Sequence, residues 1–321
     1  MFNFYHVAKN TYRESIREPI FFILLMFSLI MIGIFPGATL FVFREQMKLV
    51  IDSSMATTLV FGLVTAVLCA GHTITREMQN GTVMLLMSKP VHRWSFIVAK
   101  ILGIIAALMV FVFICNAATL IAVGVSKDQF WINLPGLYSY FGALVVCSIA
   151  GIAANYFYGR SFSAIAINAL AIVIPIFAVI FLSLVYKNLE DVNISFLIRA
   201  LLLIFFAVAA MGTITVVFST RLDMVANLCV CSIIFFLGLI SSYMFNQEFD
   251  SYFVGLGAKC LYALLPNWQF FWLADALAAN QPIPWMYIVY SFVYVILYML
   301  FCSTWAVALF QNRELASDVR Q

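Results

Sequence analysis

Long apolar runs recur along all 321 residues of this chain, and their interiors carry almost no charge. Each run can supply the roughly 20 residues that a helix needs to cross about 30 Å of hydrocarbon. Inside lipid a backbone must satisfy its own hydrogen bonds, which leaves only helices and closed barrels. Barrel strands alternate polar and apolar residues over about ten positions. These runs do not alternate, so the expected fold class is an all-α polytopic membrane protein. Composition agrees: 65% of residues are hydrophobic and 10% charged, whereas about a quarter are charged in soluble domains.

Eight spans are expected, at approximately Pro19–Phe43, Ser54–Thr73, Phe96–Val125, Leu137–Phe157, Ala164–Tyr186, Phe196–Phe218, Val225–Phe245 and Trp285–Phe310. Three closely spaced runs between Ala164 and Phe245 leave a second reading open. One of them could be re-entrant, giving six or seven crossings and moving every later loop to the other side. Of the seventeen basic residues, only Arg44, Lys48, Lys127, Lys187, Arg199 and Lys259 fall outside if the N-terminus is cytoplasmic. The positive-inside rule then puts both termini in the cytoplasm, with an inner (plasma) membrane as the expected location. The first residues lack the pattern of a cleaved signal and are expected to be retained.

Residues 1–18 read as an interfacial helix. Phe4, Tyr5, Ala8, Tyr12 and Ile16 fall near one face, with Lys9, Arg13 and Arg17 on a neighbouring face and Glu14 and Glu18 one position beyond. Pro19 lets the chain turn into the bilayer. The outer loop 246–284 holds Trp268 and Trp272, expected as belt aromatics, and an apolar stretch, Phe253–Leu265, too short to span. Asp275 and Glu248 read there as solvated acids. Cys69, Cys115, Cys147, Cys229, Cys231 and Cys302 lie in apolar runs and Cys260 in a loop, a scatter that suits packing rather than disulfides or zinc.

No phosphate-cradling G-x-x-x-x-G-K-[ST] loop occurs, and His6, His72 and His92 form no ligand pair on one helix. No nucleophile has a base beside it, so the chain is not expected to be an enzyme, and no catalytic, cofactor or metal residue is assigned. An ion-coupled carrier needs ionisable groups at mid-membrane. Here Asn116 and Asn168 are neutral and suit interhelical hydrogen bonds, and Arg199 sits near a span end. Energy for any transport is therefore expected from a partner.

The segment Thr75–Arg93, T-R-E-M-Q-N-G-T-V-M-L-L-M-S-K-P-V-H-R, is a polar island between two spans. Gly81-Thr82 can open a short helix with Thr82 as its cap. Val83, Leu86 and Met87 give it an apolar stripe, and Pro90 ends it. Arg93 and Lys100, seven residues apart, are expected at headgroup level, pairing with lipid phosphate or Glu77. Two readings of the helix stay open: a connector lying on lipid, or a docking lever.

At Glu77, Gly81, Thr82, Leu85, Leu86, Pro90, Arg93 and Lys100 the chain resembles the type 2 ABC exporter permeases, in particular the copper-enzyme-maturation or sodium-exporter-like branch. The helix ending at Arg17-Glu18-Pro19 and the ending F-Q-N-R-E-L at Phe310–Leu315 are similar to the family's elbow helix and tail. The resemblance implies one permease domain over 1–321: an elbow helix at 1–18, a coupling-helix loop at 76–93, an outer loop at 246–284 and a tail at 311–321. It also implies a dimer with a second copy or paralogue, and a cytoplasmic ABC ATPase subunit that carries the ATP and magnesium. A periplasmic partner is a further possibility. Many relatives have six spans where eight are expected here. The alternative is a membrane scaffold that uses the same docking for mechanical work or surface assembly without moving a solute. No nucleic-acid partner is implied, and the substrate is not legible.

Overall fold

The computed structural model describes residues 2–38, 46–75, 93–126, 132–185, 194–245, 256, 257, 259, 262, 264–278 and 281–311. These form α1 (Phe2–Arg17), α2 (Pro19–Ala38), α3 (Gln46–Ala70), α4 (Arg93–Val125), α5 (Leu134–Tyr158), α6 (Phe162–Val185), α7 (Ile194–Ser219), α8 (Met224–Phe245), α9 (Ala274–Ala278) and α10 (Trp285–Gln311). A π-helical turn, Gly71–Thr75, extends α3, and a 3-10 turn, Trp268–Phe271, precedes α9. Among the described residues there is no strand. Among the described residues eight helices are long and apolar enough to cross a membrane, and each overlaps one of the eight expected spans. The three runs between Ala164 and Phe245 are helices of 24, 26 and 22 residues, each with the length of a full crossing.

α3, α4 and α7 pack on one another and form the centre. Their apolar stretches are 72%, 67% and 78% buried, against 17% for α10 and 22% for α5, so the remaining spans form a shell whose outer faces stay open. Small residues set the closest approaches. A Cβ on Gly212 would stand 2.6 Å from Leu108 Cδ1, and one on Gly151 would stand 2.9 Å from Ala166 Cβ, so α7 meets α4 and α5 meets α6 at these positions. Buried hydroxyls close back on their own helices, as Thr58 does to the Ser54 carbonyl and Thr119 to the Cys115 carbonyl. In this way polar residues sit in the core without needing water.

Two expectations change. The second span was expected from Ser54, but α3 begins at Gln46, so Lys48 and Asp52 belong to a helix rather than a loop. Lys48 pairs with Asp275 at 3.0 Å across the gap to α9, and Asp275, 80% exposed, is the solvated acid expected. Trp268 is not a belt residue. It is 2% exposed and packs against Phe235 and Phe271, because Gly238 on α8 presents no side chain to its ring. Asn267 fixes the approach by donating to Ser242 Oγ at 2.7 Å while its Oδ1 caps the Gln269 amide. The stretch Phe253–Leu265 and Glu248 lie largely or wholly outside the described residues.

Candidate functional site

α1 carries its basic side chains outward as its pattern requires. Lys9, Arg13 and Arg17 are exposed, with the Lys9 ammonium over the Tyr5 ring at 5.6 Å. The face turned to the protein shares only part of the apolar stripe, Tyr12 and Ile16. Thr11 and Ser15 are buried with Ile16, while Tyr5 is 61% exposed. Thr11 Oγ1 donates to the Val7 carbonyl and Ser15 Oγ to the Thr11 carbonyl, so both hydroxyls are satisfied within α1. The helix can then lie directly on α4, where a Cβ on Gly103 would stand 2.6 Å from the Ala8 carbonyl. Burial pushes the Tyr12 phenol above its ordinary value. Ser163 Oγ donates to the Arg17 carbonyl at 2.5 Å and ties the start of α6 to the end of α1.

The π turn after α3 faces this helix. His72 Nε2 lies 2.9 Å from Glu18 Oε1, and His72 Nδ1 lies 3.8 Å from Glu14 Oε1. Thr73 Oγ1 donates to the Cys69 carbonyl, and the Thr73 carbonyl accepts the Lys100 ammonium at 2.5 Å. Thr75 Oγ1 donates to the Ser219 carbonyl at 3.2 Å, linking the turn to the end of α7. A π turn displaces the i→i−4 ladder, and such turns recur at functional sites. Here the interactions of Thr73 and Thr75 join α3, α4 and α7 immediately before the segment 76–92, which lies outside the described residues.

Lys100 corrects one expectation. It is 2% exposed, with its ammonium on the Thr73 carbonyl and 5.3 Å from the centre of the Phe96 ring. It therefore does not reach lipid phosphate. The cause is the long α4, which begins at Arg93 and has already entered the bundle two turns later. Of the other docking candidates, Glu77, Gly81, Thr82, Leu85, Leu86 and Pro90 lie outside the described residues. Arg93 begins α4, and its side chain is not described.

The two short loops at this end are tight turns, as their lengths require. Gly159 closes α5 with φ 60°, and Asn155 Nδ2 donates to the Arg160 carbonyl. Arg221 closes the α7–α8 turn and reaches the Leu309 carbonyl at 2.7 Å, capping α10. Asn116 bonds between helices as expected, its Nδ2 donating to the Leu201 carbonyl at 3.0 Å. Asn168 does not; it is exposed on α6. The equivalent role is filled by Asn227, fully buried, whose Nδ2 donates to the Thr215 carbonyl at 3.1 Å and whose Oδ1 accepts from Cys231. Arg199 is held at the opposite end by the Ile283 carbonyl and the Trp285 ring.

Sequence reasoning missed the His72–Glu18 contact, the inward Lys100 and Asn227. The spacing of Glu14 and Glu18 marks one helix face, and a single Asn in an apolar run signals a buried amide. Nothing local says which partner each meets.

Residues 5–157, from α1 to the end of α5, match the family model described as ABC-2 family transporter protein. No curated protein and no solved structure matches the chain. The match takes in α1, the π turn and the polar island that follows it in the sequence. Over residues 5–157, just under half of its length, the chain is similar to the ABC-2 family of transporter proteins, which supports an ABC-2 type membrane permease.

Proposed function

We propose that this chain is the transmembrane subunit of an ATP-driven exporter and that a separate cytoplasmic ATPase drives it through the segment 76–92. ABC-2 permeases normally work with such a subunit, which would carry the ATP and magnesium. The observation that carries the reading is the junction at the base of α3 and α4. A push delivered to the segment between them would meet α1 through His72 and α7 through Thr75. It would also meet the paired helix ends themselves, joined by Lys100 and the Thr73 carbonyl. A lever needs a base that moves as one piece, and these contacts provide it. In this reading both termini are cytoplasmic, the membrane is the inner or plasma membrane, and two permease copies or paralogues pair. The sodium-exporter-like branch and a periplasmic partner belong to the same proposal.

The test is Leu86→Asp, a charge placed on the apolar stripe of the proposed coupling helix. In a detergent pull-down with the co-expressed ATPase, recovery of the ATPase should fall at least about tenfold, the loss of about 1.4 kcal/mol of binding. Membrane insertion should be unchanged. Undiminished recovery would remove the docking role from this segment.

A further inference from the structure

In the sequence the charges of α1 nearly cancel, because Arg13 and Arg17 are each followed directly by a glutamate. The fold separates them. Glu14 and Glu18 turn toward His72, at 3.8 and 2.9 Å, whereas Lys9, Arg13 and Arg17 are all exposed. Among the described residues no carboxylate lies within ion-pair distance of these three basic groups. What α1 turns outward is therefore a stripe of positive charges, one per turn and about 6 Å apart along the axis.

The neighbours of α1 fix its level. The Arg17 carbonyl meets Ser163, the second residue of α6, and Glu18 meets His72 in the turn that ends α3. α2 starts at Pro19. Three spans thus begin or end beside α1, at the border where the bundle leaves the hydrocarbon. The α5–α6 turn lies at the same border, and there Tyr156 and Tyr158 are exposed, as aromatic residues are at headgroup depth. An interfacial helix ordinarily sinks its apolar face into lipid. Here the protein takes most of that face: Ile16 is buried, and Val7 and Tyr12 pack on the core. The attraction of α1 for the bilayer is left largely to charge, and so depends on the charge of the lipid.

We propose that the outward face of α1 binds anionic phospholipid, of the phosphatidylglycerol type, in the leaflet at this border, with Lys9, Arg13 and Arg17 on the headgroup phosphates. Arg13 has a basic neighbour one turn away on either side, so a phosphate beside it is shared by two cations through charge-assisted hydrogen bonds. A zwitterionic lipid offers the same phosphate but cancels its charge, and gains less. Each basic group at an anionic surface is worth about fivefold in affinity. The surface is distinct from the segment proposed to take the ATPase and does not rest on that reading.

The test uses the purified full-length chain in nanodiscs of equimolar phosphatidylcholine and phosphatidylglycerol. Each disc carries a trace of one or other lipid with a diazirine at the headgroup end of an acyl chain, and labelled peptides are read by mass spectrometry after chymotrypsin. The phosphatidylglycerol probe should label α1 several-fold more than the phosphatidylcholine probe. Arg13→Gln, at an exposed position that does not test folding, should cut that preference about fivefold, and added salt should weaken it progressively. Lys259→Gln, the same loss of charge at an exposed residue of the loop 246–284, should leave it unchanged. Equal labelling of α1 by the two probes, no labelling of α1 by either, or a preference that survives Arg13→Gln overturns the proposal. So does loss of the label when a co-purified ATPase is present, since a protein would then cover this face. In every case the Leu86→Asp pull-down still reads ATPase docking on its own.

Discussion

Lys100 and Asn227 show how single polar residues are kept inside an apolar bundle. A buried ammonium is tolerated where a carbonyl and an aromatic face replace water, and the Thr73 carbonyl and Phe96 ring supply both. Asn227 uses both ends of its amide, on Thr215 and Cys231. Interhelical hydrogen bonds of this kind are modest in membranes, about 0.6 kcal/mol on average and about 1.7 at most. Asn227→Leu is therefore predicted to cost less than about 2 kcal/mol, read as a small drop in the thermal midpoint of the detergent-purified chain. A collapse of the fold would mean that Asn227 does more than bond α8 to α7.

At the scale of elements, α1 is held by its small residues Thr11 and Ser15 together with the inner part of its apolar stripe, Ile16 and Tyr12. Thr11 and Ser15 are buried, and Gly103 on α4 lies against the Ala8 carbonyl and the Thr11 side chain. Gly103→Val should overpack this contact at about 1–3 kcal/mol. The helix would then detach more often, and trypsin cleavage at Lys9, Arg13 and Arg17 should rise roughly tenfold, with the spans still inserted. Unchanged cleavage would show that α1 is held elsewhere, for example by His72 and Ser163. The periodicity of residues 1–18 marked a surface helix and its basic face correctly. It could not single out Thr11 and Ser15, because a hydroxyl that bonds its own backbone is chemically as fit for burial as for water.

For the whole molecule, the proposed orientation has a direct check. A cysteine at Gln281 should react with a membrane-impermeant maleimide on intact cells, and one at Arg160 only after permeabilisation. The opposite pattern would invert the bundle. Every one of the eight spans was legible in the sequence, since the length of an uncharged apolar run reports a crossing whatever surrounds it. The turns at Gly159 and Arg221 are set in the same local way, by chain length and local chemistry. Which spans are central was not legible: α6 is as apolar as α4, yet it lies in the shell. Nor could the sequence place Trp268 inside, turn Lys100 inward or bring His72 to Glu18. A chain with apolar residues on all faces of its helices determines where it crosses the bilayer, because the water-to-lipid transfer is decided segment by segment. Which faces meet depends on small residues and paired polar groups far apart in the chain, and only the assembled bundle brings those together.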